Sequence, residues 1–135
     1  MEIKSNAQLE RIRGQDQWRV LTDFEVVLSD KRSVIVPHNF LTDKASVPFG
    51  LAIKRDDKHI IDGALIHDYL YFSQKIEGQW IKRKEADKIL IDICKYSGMG
   101  FIKRFLVYQG VRIGGWTYFN KRAIELGNIY HAKRD

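Results

Sequence analysis

His67, Asp68, Tyr71 and Asp87 are the residues whose types and spacing could do chemistry. His67 and Tyr71 are four residues apart, so on a helix they share a face, one turn from each other. Asp68 points about 100° away from His67. The stretch around them, Ile60 to Tyr71, is otherwise apolar at helical spacing. Polar groups on such a helix need partners. Asp87 lies on a second amphipathic stretch and borders its apolar stripe of Ala86, Leu90, Ile93 and Cys94. A histidine with two carboxylates on adjacent helices is a workable hydrolytic site. One carboxylate orients the imidazole, which deprotonates a water. In that assignment His67 is the base, Asp87 its orienter and Tyr71 a second donor to Asp87. The plain structural alternative is a satisfied histidine, with Asp87 pairing at i,i+4 with Arg83.

Asp68 admits two readings. With Asp43 from the preceding loop it forms a pair of carboxylates suited to calcium, which takes six to eight oxygen ligands. Equally, it accepts backbone N–H bonds from that loop, Thr42 to Gly50, without any metal. No Lys or Arg stands three or four residues from it.

These residues have to be positioned by the rest of the chain. Alternating apolar residues over Ala7–Arg13, Trp18–Leu28 and Ser33–Val36 predict strands, with turns at Gly14–Gln17 and Ser29–Arg32. Trp18, Val20, Phe24 and Val26 are candidates for one face. Pro37 closes this part. Helices are expected over Lys58–Gln74, with Asp57 as N-cap, then Arg83–Tyr96, Phe101–Ile113 and Trp116–Leu126. Gly63 inside the first helix points to close approach by another backbone. Ile76–Lys82 reads as a connecting loop, with Trp80 over the core edge. The expected fold class is α+β: a small N-terminal antiparallel sheet of about three strands, followed by a bundle of three to four helices. Residues 1–37 are the sheet part, 38–57 a polar loop and 58–126 the helical part of one domain.

Composition narrows the classes. The chain has 135 residues, 44% hydrophobic and 30% charged, with sixteen aromatic residues, so it is expected to fold. One cysteine, Cys94, excludes an intramolecular disulfide and a cysteine zinc cluster, and reads as a buried small hydrophobe. No apolar run follows Met1-Glu2-Ile3-Lys4, so no signal peptide is expected. Net charge is +6, and all of it comes from residues 83–135, which hold 11 basic and 5 acidic side chains. Between Ile93 and Ile124 there are six Lys or Arg and no Asp or Glu. Such a face suits an acidic protein surface, anionic lipid or nucleic acid, though no nucleic-acid motif accompanies it.

Two resemblances add to this. The pattern Thr42-Asp43-x-x-Ser46-Val47-Pro48, then Ala64-x-x-His67-Asp68-Tyr69-Leu70-Tyr71, Arg83-x-x-Ala86-Asp87 and Tyr108-x-x-Val111-Arg112-x-Gly114-Gly115 resembles the phage-associated domain of unknown function 1353 over roughly residues 36–115. It implies a phage or prophage origin, but no activity; synthesis in the host cytoplasm is expected from the missing signal peptide, with the virion left open as a later place of action. Locally, His67-Asp68-x-x-Tyr71 with Ala86-Asp87 is similar to the core of phospholipase A2 enzymes, most of all the disulfide-free parvoviral form. There the histidine activates water, the adjacent aspartate binds calcium, and a distant aspartate and the tyrosine support the histidine. The glycine-rich calcium loop of that family is absent before His67. Two functions follow as expectations. One is a small hydrolase of lipid or cell-envelope ester. The other is a virion, for instance tail, or accessory protein whose partners are phage structural proteins or an anionic lipid surface.

Overall fold

A computed structural model describes residues 1–14, 17–42 and 59–128. Among these, six short strands precede the helices: β1 (Glu2–Ile3), β2 (Leu9–Arg11), β3 (Trp18–Val20), β4 (Phe24–Val27), β5 (Ser33–Val36) and β6 (Leu41–Thr42). They form two antiparallel sheets of three strands, in the orders β1-β4-β5 and β2-β3-β6. The α+β expectation of N-terminal antiparallel strands followed by helices holds, with the strands divided between two small sheets. The expected long strand Trp18–Leu28 is broken between Val20 and Phe24, and its halves belong to different sheets. Asp23 marks the break: its carboxylate accepts the backbone N–H of His38 at 2.8 Å and contacts the His38 ring at 2.8 Å. Val20, Phe24 and Val26 are fully buried, whereas Trp18 is half-buried.

Four helices follow: α1 (Ile61–Ser73), α2 (Arg83–Tyr96), α3 (Phe101–Gly114) and α4 (Trp116–Leu126). The expected bounds of α2 and α4 match, and α3 runs one residue further. The N-cap position of α1 is held by Ile60 rather than by Asp57, which lies outside the described residues. Gln74 closes α1 in the left-handed conformation, φ 55°, and its N–H donates to the carbonyl of Leu70. The segment read as a loop after α1 is a hairpin of β7 (Lys75–Ile76) and β8 (Gln79–Trp80). Its two turn residues, Glu77 and Gly78, both have positive φ, as a tight two-residue hairpin requires. Trp80 is half-buried, with Lys75 Nζ 4.2 Å from its ring centre.

The sheets pack on α1 and α4 through one apolar cluster that includes Val20, Phe24, Val26, Val36, Leu65, Leu70 and Phe119. A second cluster, with Ala64, Leu90, Cys94, Val107 and Val111, joins α1, α2 and α3. At Gly63, α1 lies close against α2. A Cβ there would stand 3.0 Å from Leu90 Cδ1 and 3.2 Å from the Leu90 carbonyl oxygen. That contact sets how near the polar residues of the two helices can come.

Candidate functional site

The carboxylate of Asp87 is the centre of the site. Its side chain is fully buried, and charge at 0% exposure is tolerated only when paired and hydrogen-bonded. Helix α2 aims it at α1, where His67 Nε2 lies 2.7 Å from Oδ1. One turn along α1, the Tyr71 hydroxyl donates to the same oxygen at 2.6 Å. The other oxygen, Oδ2, accepts from Arg112 Nη1 of α3 at 2.7 Å and faces Arg83 Nη1 at 3.5 Å. Arg83 is buried as well. It donates to the carbonyls of Val111 at 3.1 Å and Arg112 at 3.2 Å, near the end of α3. Three helices thus converge on one carboxylate.

Burial alone would push the Asp87 carboxyl above its usual range. The donors His67, Tyr71 and Arg112 outweigh it and hold the carboxyl below its usual range, so Asp87 stays ionised. Tyr71 moves the other way: burial, then the neighbouring Asp87 charge, pushes its phenol up, so it remains a donor. The Tyr71 ring packs against His67 with centroids 4.2 Å apart, edge-on against Phe119 at 5.2 Å, and parallel to Tyr118 at 6.3 Å. Gly115 permits this placement. A Cβ on it would meet the Tyr71 hydroxyl at 2.6 Å and the ring at 2.9 Å. Its φ of −89° is open to any residue, so space, not backbone conformation, calls for glycine.

The structure therefore brings together His67, Tyr71 and Asp87. The His67 side chain is 14% exposed, between sealed and open. Asp87 takes one ring nitrogen; among the described residues no protein group bonds the other. An imidazole whose Nε2–H donates to a carboxylate carries its lone pair on Nδ1. Asp68 is half-buried on α1, one residue from His67. Asp43 and the loop after Thr42 lie outside the described residues, so the Asp68–Asp43 pair cannot be placed. Among the described residues no three His, Cys, Asp or Glu group as a metal set.

Arg83 and Arg112 were not singled out as site residues. The spacing of Arg83 suggested an ordinary i,i+4 pair with Asp87, and Arg112 was counted in the basic face. The available signal was their presence in the Arg83-x-x-Ala86-Asp87 and Val111-Arg112-x-Gly114-Gly115 patterns. No helix among the described residues is long and apolar enough to cross a membrane.

The family model described as Protein of unknown function (DUF1353) matches residues 18–111, from β3 into α3. The match begins earlier than the motifs alone suggested, and it stops one residue before Arg112. No curated protein and no solved structure matches the chain. His67, Asp68, Tyr71, Arg83 and Asp87 all lie inside the matched span, and on that span the chain belongs to the DUF1353 family of proteins of unknown function.

Proposed function

We propose that the protein is a phage-encoded hydrolase of lipid or cell-envelope esters, with His67 as general base. The observation that carries this reading is the bond from one nitrogen of a partly exposed His67 to the fully buried, ionised Asp87, fixed further by Tyr71. With Nε2–H donated to Asp87, Nδ1 takes a proton from water as the water oxygen attacks the ester carbonyl carbon. When the carbon–oxygen bond of the leaving alcohol breaks, Nδ1–H returns that proton to the alkoxide. Asp87 keeps the ring in the productive tautomer and balances the imidazolium charge without itself taking the proton. Tyr71 holds Asp87 in place. This division of labour parallels the phospholipase A2 pattern noted above. Calcium on Asp68 and Asp43 belongs to the proposal, and no step here depends on it.

A second reading is favoured by a different observation. Two guanidinium groups, Arg83 and Arg112, close on the remaining oxygen of Asp87. That arrangement also suits a lock between three helices in a non-enzymatic virion or accessory protein, docked to an acidic partner through its basic helices.

The test is hydrolysis of phospholipid and short-chain ester substrates by the parent and by His67→Gln, with thermal unfolding measured on both. Loss of the general base should lower the rate about a hundredfold to ten-thousandfold while the variant stays folded. A parent without activity on any of these esters, or a His67→Gln variant as active as the parent, sinks the hydrolase reading and favours the lock.

A further inference from the structure

We propose that the outward face of α3 is a docking surface for an anionic lipid headgroup layer. The proposal stands whether or not His67 is catalytic. At about 100° per residue, Phe101, Phe105, Ile102, Ile113 and Leu106 fall within one sector of about 140°, with Arg112 and Gln109 the two polar residues inside it. All of these apolar residues are exposed, Phe101 and Ile102 by 72% and 73%. Val107, Gly110 and Val111, on the opposite side, are the buried residues of this helix. Helix α3 is thus apolar on both faces, and only one of them is covered. A stripe of about 18 Å from Phe101 to Ile113 is more than the scattered apolar residues of an ordinary surface.

Charge chooses the occupant. From Ile93 to Ile124 the chain has no Asp or Glu, and Lys95, Lys103 and Lys121 are exposed. An amphipathic helix with aromatic and aliphatic side chains on one side and cations beside them is the pattern that inserts shallowly among anionic headgroups. Two copies meeting through this face would bring like charges together, which disfavours self-association. Arg112 lies within the sector, between Phe101 and Phe105, and reaches Asp87, so the stripe adjoins the His67 site.

Flotation of the full chain with vesicles tests this. Vesicles of phosphatidylglycerol and phosphatidylcholine in equal parts are compared with phosphatidylcholine alone. The parent should float with the anionic vesicles, and high salt should weaken that binding. Replacing Ile102→Ser and Phe105→Ser together should lower the affinity about tenfold or more. Lys103→Glu with Lys121→Glu should erase the preference for anionic vesicles. Thermal unfolding of each variant should match the parent, because these side chains are exposed. Failure to float with anionic vesicles overturns the proposal, as does equal binding of the Ser variant. A concentration-dependent dimer abolished by the Ser variant, without vesicle binding, would assign the face to a second copy instead. Ester hydrolysis is not read in this experiment, so its outcome is separate from that of the proposed activity.

Discussion

Replacing Asp87 by alanine removes the acceptor shared by four side chains. His67 and Tyr71 lose Oδ1, and Arg83 and Arg112 lose Oδ2. Arg83 is buried, so two guanidinium groups would be left near each other without the carboxylate they share. Breaking a buried ion pair by deleting one partner costs about 3–5 kcal/mol. A domain of this size holds about 5–15 kcal/mol in total, so Asp87→Ala should unfold at much lower denaturant than the parent. Urea unfolding at neutral pH, followed by circular dichroism, gives the difference directly. Asp87→Asn separates charge from volume, since it keeps the shape but cannot accept on both sides. Acid provides the second readout. The folded state holds the Asp87 carboxyl below its unfolded value of about 3.9. Its contribution is therefore complete above that value and is lost as the pH falls through the lower, folded one. Stability of the parent should decline across that acid window, and Asp87→Asn should lack this part of the decline. An Asp87→Ala loss below about 1 kcal/mol, or identical acid profiles for parent and Asp87→Asn, would refute the reasoning.

Gly115→Ala should destabilise by about 1–3 kcal/mol through overpacking against Tyr71. Part of that loss should return in the Tyr71→Phe background, where the nearest atom is gone, as thermal melts of the four proteins will record. Gln74→Ala should cost about 1–3 kcal/mol, because the buried Gln74 amide donates to the carbonyls of Tyr71 and Phe119 and accepts from Asn128. Combining it with Asn128→Ala should add little, and full additivity in unfolding free energy would contradict the shared network. Calorimetric titration should show calcium heat for the parent that is missing in Asp68→Asn. No binding by the parent at millimolar calcium would leave Asp68 as a residue that pins backbone.

How much of this was legible in the sequence depends on the length of each element. Helices α2 and α4 were bounded correctly because flanking glycines and an apolar stripe agree over about three turns. Strands of two residues, such as β1, β6, β7 and β8, are too short to show alternation. Leu21 also misled, since it is apolar yet 45% exposed at the break between β3 and β4. His67, Tyr71 and Asp87 were readable because helical spacing fixes which side chains share a face. Arg112 was not, because its role depends on where α3 crosses α2, and no local pattern encodes a crossing. The exposed apolar sector of α3 was not readable either, since periodicity reports faces, not what covers them.

The donors to Asp87 stand 16, 20 and 25 residues away in the chain, apart from its near neighbour Arg83. A ribosome releases α1 and α2 well before Arg112. Until α3 arrives, α1 and α2 can touch, but the carboxylate at their interface lacks Arg112, one of its four partners, and Arg83 lacks the carbonyls of Val111 and Arg112. Final closure of this region is consequently a late event that waits for the C-terminal third of the chain. A nascent or truncated chain ending before Arg112 should keep α1 and α2 loosely joined and open to protease, which makes the carboxylate a checkpoint on complete synthesis.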